Sequence, residues 1–484
     1  MLWITELRLT SKLKGQVIII FNNNQMEIKF NVKFLGAAKI VTGSSYIIDV
    51  VEDGKSVYRF MIDHGMFQGP ADEQHNTDKY QFSPSDISLL VLTHAHIDHC
   101  GLIPKLVRYG YNGPILSTKQ TYLLADLILH DSAKIQEKNE YNRGIPANYN
   151  TGDVNKTLSQ FKIIRFNDTY FPMPELSIEL IRAGHILGAA SVMINYKGKS
   201  ICFSGDLGRT SQDTVKDYDL KKKTADYIVI ESLYGGKLHE DKNTTFQKFV
   251  TAINDTISRD GNVIIPAFAV QRTQEILATL NIAISNGAIK KNVQIFLDSP
   301  LAERATNVYT DNLYETSLSR YSNNSNLKSL ILSRNVTVVK SRNMTAKVKR
   351  KKGVIIIAGS GMCNGGRILE YLKESLGNKA DLLAIVGFQA EGTLGRELIE
   401  GKQEVKIDAK DYLVKIKIDQ FKGFSAHADQ FDLIKWLESF SSASISRIFL
   451  VHAEIEQSSA FQEILEPLTN AEIIIPGLGE EYTN

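Results

Sequence analysis

The string Thr93-His94-Ala95-His96-Ile97-Asp98-His99 constrains this chain more than any other, setting three imidazoles and a carboxylate within six residues, directly after the apolar run Ile87 to Leu92. An apolar strand that stops on a ligand-dense loop can present several side chains to one point, and His with Asp suits zinc or a similar divalent ion. A single buried His is more often a satisfied core group than a ligand. Three with an Asp at this density read instead as a metal site at a strand end.

The chain of 484 residues is too long for one ordinary core, so two domains, or one large domain carrying an insertion, are expected. A hydrophobic content of 43% supports a full globular interior, and a net charge of +2 means that a polyanion would be held by local basic clusters and metal ions rather than by a basic body. Cys100, Cys202 and Cys363 are widely separated and lack the spacing of a structural zinc site or a disulfide framework, which fits a reducing cytoplasm. The run Val17 to Phe21 is too short for a secretory leader, and no segment approaches a membrane span. Residues 1–25 read as an N-terminal appendage, with a second credible start at Met26 before the strand-like Glu27 to Phe30 and Val32 to Leu35.

Beyond Met26, short β-branched runs ending in Gly, Ser, Asp or His alternate with amphipathic stretches. Tyr58 to Ile62, Leu89 to Leu92, Ile178 to Ile181, Ile201 to Phe203 and Tyr227 to Ile230 predict strands; Gly101 to Tyr109, Thr121 to Tyr141 and Phe246 to Ser258 predict helices. This is a layered α/β pattern. From about Gly235 to Asp419 the repeat of strand, Gly- or Pro-marked turn and helix, with strands at Val263, Val293, Val354 and Leu382, predicts a parallel sheet. The basic run Lys347 to Lys352 reads first as a solvated loop and second as an RNA contact.

Four further segments share the architecture of the first, each an apolar run stopping on a ligand-type side chain: Asp63 after Arg59 to Ile62, His185 within Ala183 to Gly188, Asp206 after Ile201 to Gly205, and His452 after Ile448 to Val451. They meet only if the strand ends converge, which spacing does not decide.

In the order Asp63, His94 to His99, His185, Asp206, the chain resembles the metallo-β-lactamase fold. Glu231 in Ile230 to Gly235, His427 in Gly423 to Asp429, and His452 resemble motifs A, B and C of the β-CASP nucleases. Pro266 to Gln274, Leu297 to Pro300, Gly359 to Arg367 and Gly387 to Gln389 match the landmarks of the β-CASP insert, so the resemblance spans nearly everything after Met26. His452 as motif C and Glu231 as motif A are similar to the RNA-processing branch, the bacterial and archaeal relatives of the cleavage and polyadenylation endonuclease. His64, Leu233 and Ala453 depart from the usual pattern without removing a ligand.

The resemblance implies a four-layer αββα sandwich of residues 26–235 and 420–484 with an inserted parallel-sheet β-CASP domain at 236–419. It implies two zinc ions: His94, His96 and His185 holding one, Asp98, His99 and His452 the other, Asp206 bridging them and Asp63 orienting ligands from behind. Asp98 would also serve catalysis, His427 polarised by Glu231 would be the general acid, and single-stranded RNA would be cut to 5′-phosphate and 3′-hydroxyl ends. Ser360, Gly361, Arg272 and Arg367 are candidate phosphate contacts, the first two in a Gly-rich turn between strand and helix. A homodimer is compatible with the family. The alternatives are a DNA nuclease, disfavoured by His452; a small-molecule hydrolase of the same fold, disfavoured by the insert and the Glu231/His427 pair; and a catalytically silent RNA-binding subunit, disfavoured by the intact ligand motifs. His75, His130 and His239 carry no functional expectation.

Overall fold

The computed structural model describes residues 26–69, 72–318 and 328–484; the appendage expected at 1–25 lies outside the described residues. Two seven-stranded sheets form the larger body. The first runs in the order Glu481–Thr483, Ile28–Phe34, Ser45–Glu52, Lys55–His64, Leu89–Val91, Ile115–Ser117, Phe161–Ile163. The second runs Glu472–Ile474, Arg447–Val451, Tyr227–Glu231, Lys199–Phe203, Ala190–Tyr196, Leu176–Arg182, Thr169–Met173.

Side chains alternate across a strand, and here both faces are covered. Phe60 and Ile62 point into the layer between the sheets, where they join Ile178, Ile194, Phe203 and Phe449. Met61 between them points outward and packs with Leu106, Leu124 and Leu129 of the covering helices. The same division sends Val229 inward and Ile228 and Ile230 outward. Burial on both faces is why these strands read as continuous apolar runs, and the result is the expected sandwich.

The third sheet, in the order Val336–Val338, Ile295–Asp298, Ile355–Ala358, Val263–Pro266, Leu382–Ile385, Lys417–Gln420, is parallel at every pairing, as the repeat predicted. From it the chain returns to the larger body: Arg447–Val451 pairs in parallel with Tyr227–Glu231, and Glu481–Thr483 pairs with Ile28–Phe34.

Several element ends differ from expectation. The helix expected from Gly101 begins at Ile103, after a separate turn Ile97–Cys100, because Pro104 sits in its first turn, where the missing N–H costs nothing. The helix expected near Gly365 begins at Ile368, since Gly366 at φ 75° holds the chain out of helical conformation. The basic run expected as a loop starts inside the helix Arg342–Val348. Within that run Lys349 pairs with Glu374 at 2.9 Å, so part of its charge is neutralised.

Candidate metal centre and its acid pair

Both sheets of the sandwich bring chemistry-bearing residues to a single edge. Strands Lys55–His64 and Leu89–Val91 lie parallel and end at Asp63 and the His-rich loop; Lys199–Phe203, Tyr227–Glu231 and Arg447–Val451 lie parallel and end at Asp206, Glu231 and His452. His185 enters from the loop following Leu176–Arg182. Asp63 at φ 54° and His452 at φ 57° turn the chain sharply at these ends.

Among the described residues the potential donors gather in three groups: His94, His96, His185 and Asp206; Asp98, His99 and His452; and, sharing Asp206 again, Glu231 and His427. In the first, His96 Nδ1 stands 3.1 Å from both His94 Nε2 and His185 Nε2, while Asp206 Oδ2 is 3.5 and 3.6 Å from the same two nitrogens. In the second, His452 Nε2 is 3.6 Å from Asp98 Oδ2 and 3.5 Å from Asp206 Oδ1, which is itself 3.2 Å from His99 Nε2. Asp206 thus turns one oxygen to each set.

Tetrahedral donors about 2.0–2.1 Å from a zinc ion stand roughly 3.3 Å apart, so these spacings fit a divalent metal in each set. Asp206 Oδ1 and both ring nitrogens of His452 are buried with no hydrogen-bond partner, a cost that metal coordination would remove. Burial, reinforced by His99, keeps the His94 pKa well below normal, and burial brings His96 to about 4, so both are unprotonated donors at neutral pH. Burial also opposes charge on His99, yet the Asp206 and Asp63 carboxylates hold its pKa well above normal.

Asp63 lies behind the donors. It accepts from the Thr93 N–H and hydroxyl, each at 2.7 Å, and from His99 Nδ1 at 2.8 Å, which fixes the tautomer and leaves Nε2 facing Asp206. His64 faces away: it bonds Ser45 Oγ at 3.0 Å and the Tyr80 hydroxyl at 2.9 Å, and burial lowers its pKa to about 3. His75 and His130 pair with Asp78 and Asp126.

Glu231 and His427 come together beside the first set. His427 Nδ1 lies 3.3 Å from each oxygen of Glu231, which is fully buried and also accepts the Leu207 N–H at 2.6 Å. The His427 ring is 4.3 Å from that of His185, between centroids. A carboxylate only accepts, so Nδ1 of His427 carries the hydrogen that faces Glu231.

The phosphate candidates lie at the carboxyl ends of the third sheet. Arg272 is buried, its Nε is unpartnered, and burial lowers its pKa to about 10. Ser360 Oγ is likewise unpartnered, while the Gly361 carbonyl accepts from Gln389 Nε2 at 2.9 Å. Arg367 gives Nη1 to Asp298 and to the Val339 carbonyl, leaving only the rest of its fork for a phosphate.

Sequence reasoning missed His239 and Arg209. His239 Nε2 donates to the His427 carbonyl at 3.0 Å, and Arg209 bonds the carbonyls of Gly423 and Glu240. Both act on backbone oxygens, and no motif marks such contacts. A His four residues past Gly235 was the only signal.

Histidines and carboxylates in two sets that share one Asp, on the edge of an αββα sandwich, define a metal-dependent hydrolase. A Metallo-beta-lactamase superfamily model matches residues 39–267, a Beta-Casp domain model 273–398, and a model described as Zn-dependent metallo-hydrolase RNA specificity domain 411–476. Ribonuclease TTHA0252 of Thermus thermophilus is 32% identical over 92% of this chain and 98% of its own length. The transcription termination factor FttA of Methanococcus maripaludis is 30% identical over 82% of this chain and 64% of its own. A crystal structure of an Enterococcus faecalis protein of unknown function shares the fold, with a TM-score of 0.53 at 13% identity over 94% of this chain and 100% of that one. The chain belongs to the Beta-Casp branch of the metallo-beta-lactamase superfamily.

Proposed function

We propose that the protein is a zinc-dependent ribonuclease that hydrolyses single-stranded RNA, leaving 5′-phosphate and 3′-hydroxyl ends. His94, His96 and His185 would hold one zinc, Asp98, His99 and His452 a second, and Asp206 would be shared. The observation that carries this reading is the pair of donor sets meeting on Asp206 with the Glu231–His427 pair alongside. The RNA specificity model and the ribonuclease name of the Thermus relative support RNA as the substrate.

Divalent ions held by these residues would supply a water with a pKa of about 7 and would neutralise charge on the phosphoryl group. Asp63 holds the His99 ring in its donor orientation. Glu231, buried and bonded to the Leu207 N–H, keeps the Nδ1 proton of His427 in place. His427 Nε2 then gives its proton to the departing 3′ oxygen, so the leaving strand departs as an alcohol. Arg272, with Ser360 and Gly361 and the remaining nitrogens of Arg367, contacts backbone phosphate in the insert at 236–419.

End-labelled single-stranded RNA and DNA of one sequence, incubated with purified protein with and without chelator, test the reading. Asp98→Ala is expected to lose RNA cleavage by at least about 100-fold and to retain its fold by circular dichroism; full activity in that variant would exclude the assigned centre. His427→Ala is expected to keep two zinc ions by elemental analysis but to cleave about 100-fold more slowly. Loss of an ion there would make His427 a ligand.

A further inference from the structure

His427 can donate a proton only if its ring stays aligned, and Glu231 fixes one atom of that ring. The peptide that carries it, within the loop between the turn Lys422–Phe424 and the helix Gln430–Leu437, needs fixing too. One side of the loop is paired with the segment after Asp206: Arg209 N–H donates to the Ala426 carbonyl at 3.0 Å and Ala428 N–H to the Leu207 carbonyl at 2.8 Å. The other side meets residues 235–240, where the chain leaves the sandwich for the third sheet. His239 takes two grips there. Its backbone N–H donates to Asp429 Oδ2 at 2.9 Å, and its Nε2 lies 3.0 Å from the carbonyl oxygen of His427 itself.

A carbonyl only accepts, so Nε2 of His239 carries the hydrogen and the ring is the Nε2–H tautomer. The ring is held in turn against Tyr234, with centroids 4.4 Å apart, and Tyr234 lies 6.3 Å from the His427 ring. The hydrogen bonds of His239 run to Asp429 and to the acid's own main chain.

We propose that His239 is a positioning residue for the general acid, its Nε2–H clamping the His427 peptide so that the imidazole meets the leaving oxygen in line. The proposal rests on the assignment of His427 as the acid. A misplacement of about 1 Å at a reacting group can cost about 100-fold in rate, and the clamp acts on proton donation alone.

The test compares single-stranded RNA, whose 3′ oxygen needs a proton to leave, with bis(p-nitrophenyl) phosphate, whose nitrophenolate does not. His239→Ala, loaded with zinc, is expected to lose about 10- to 100-fold in kcat on RNA with KM within about 2-fold, and to lose under about 3-fold on the nitrophenyl diester. His239→Gln, whose amide can donate to the same carbonyl, is expected to recover most of the RNA rate and decides the matter should the alanine variant fold poorly. Equal losses on both substrates, an effect carried by KM, or no loss on RNA would overturn the clamp. His427→Ala is run alongside: if it shows no leaving-group dependence, the acid assignment falls and the clamp with it, whereas leaving-group dependence in His427→Ala alone removes only the clamp. Wild-type cleavage of RNA separates either failure from failure of the ribonuclease reading.

Discussion

Asp206 is the residue on which the two donor sets depend, with one carboxylate oxygen 3.5 Å from His94 and the other 3.2 Å from His99. Removing it strands buried imidazoles on both sides, so Asp206→Ala is expected to bind fewer than about one zinc per chain by elemental analysis and to lose at least about 100-fold in RNA cleavage. Two bound ions in that variant would contradict the shared-ligand reading. His64 supplies a pH prediction. Its pKa is about 3 in the fold because burial penalises the charged ring, against an ordinary value of 6.5. Above about pH 6.5 both folded and unfolded chains hold it neutral; below that the unfolded chain takes up the proton first. Stability is therefore complete above about 6.5 and falls by about 1.4 kcal/mol per pH unit toward 3 from this group alone. Thermal melts from pH 7 to 4 are expected to fall less steeply in His64→Gln; an unchanged slope would remove His64 as a cause. At this scale the sequence displayed the donors well, because each follows an apolar run. His239 and Arg209 were hidden because what they grip is a carbonyl, and every residue has one.

Strands were legible wherever both faces are buried, as in Phe60-Met61-Ile62, since alternation then leaves an unbroken apolar run. Helix starts were less so, because a run of apolar residues at helical spacing does not say that Pro104 or Gly366 will set the first turn. Close approaches between elements were not legible at all. Gly65, just past the strand Lys55–His64, passes so near the turn Ile97–Cys100 that a Cβ on it would lie 1.6 Å from the Asp98 carbonyl oxygen. Gly65→Ala must push that turn away from the strand. It is expected to cost about 1–3 kcal/mol or more in thermal or urea unfolding and to empty the set of Asp98, His99 and His452 before the other. Wild-type zinc content and stability would show that the turn has room to give.

For the whole molecule, the question is how the inserted sheet is held against the sandwich. The Tyr309 hydroxyl, on the helix Pro300–Asp311, donates to Gln271 Oε1 at 2.7 Å and accepts the Leu187 N–H at 3.2 Å, two residues from His185. Gln271 continues the chain to Gln212 Oε1 at 2.7 Å, and Gln212 reaches the Gly184 carbonyl at 3.0 Å. A buried polar chain therefore joins the insert to the loop carrying His185. Tyr309→Phe leaves the Gln271 oxygen and the Leu187 N–H without that hydroxyl and is expected to cost about 1–3 kcal/mol in urea unfolding; no change would mean that water replaces it. Convergence of this kind was beyond sequence spacing, which placed each donor at a strand end but not the ends at one edge. Among the described residues, no helix is long and apolar enough to cross a membrane. In the proposed function, RNA is cut only when both donor sets sharing Asp206 hold metal. Titrating zinc into metal-stripped protein while measuring bound ions per chain and cleavage of one end-labelled RNA tests it most directly. Activity is expected to rise with the second ion, and the products to bear 5′-phosphates. Full cleavage with one ion or none would contradict it.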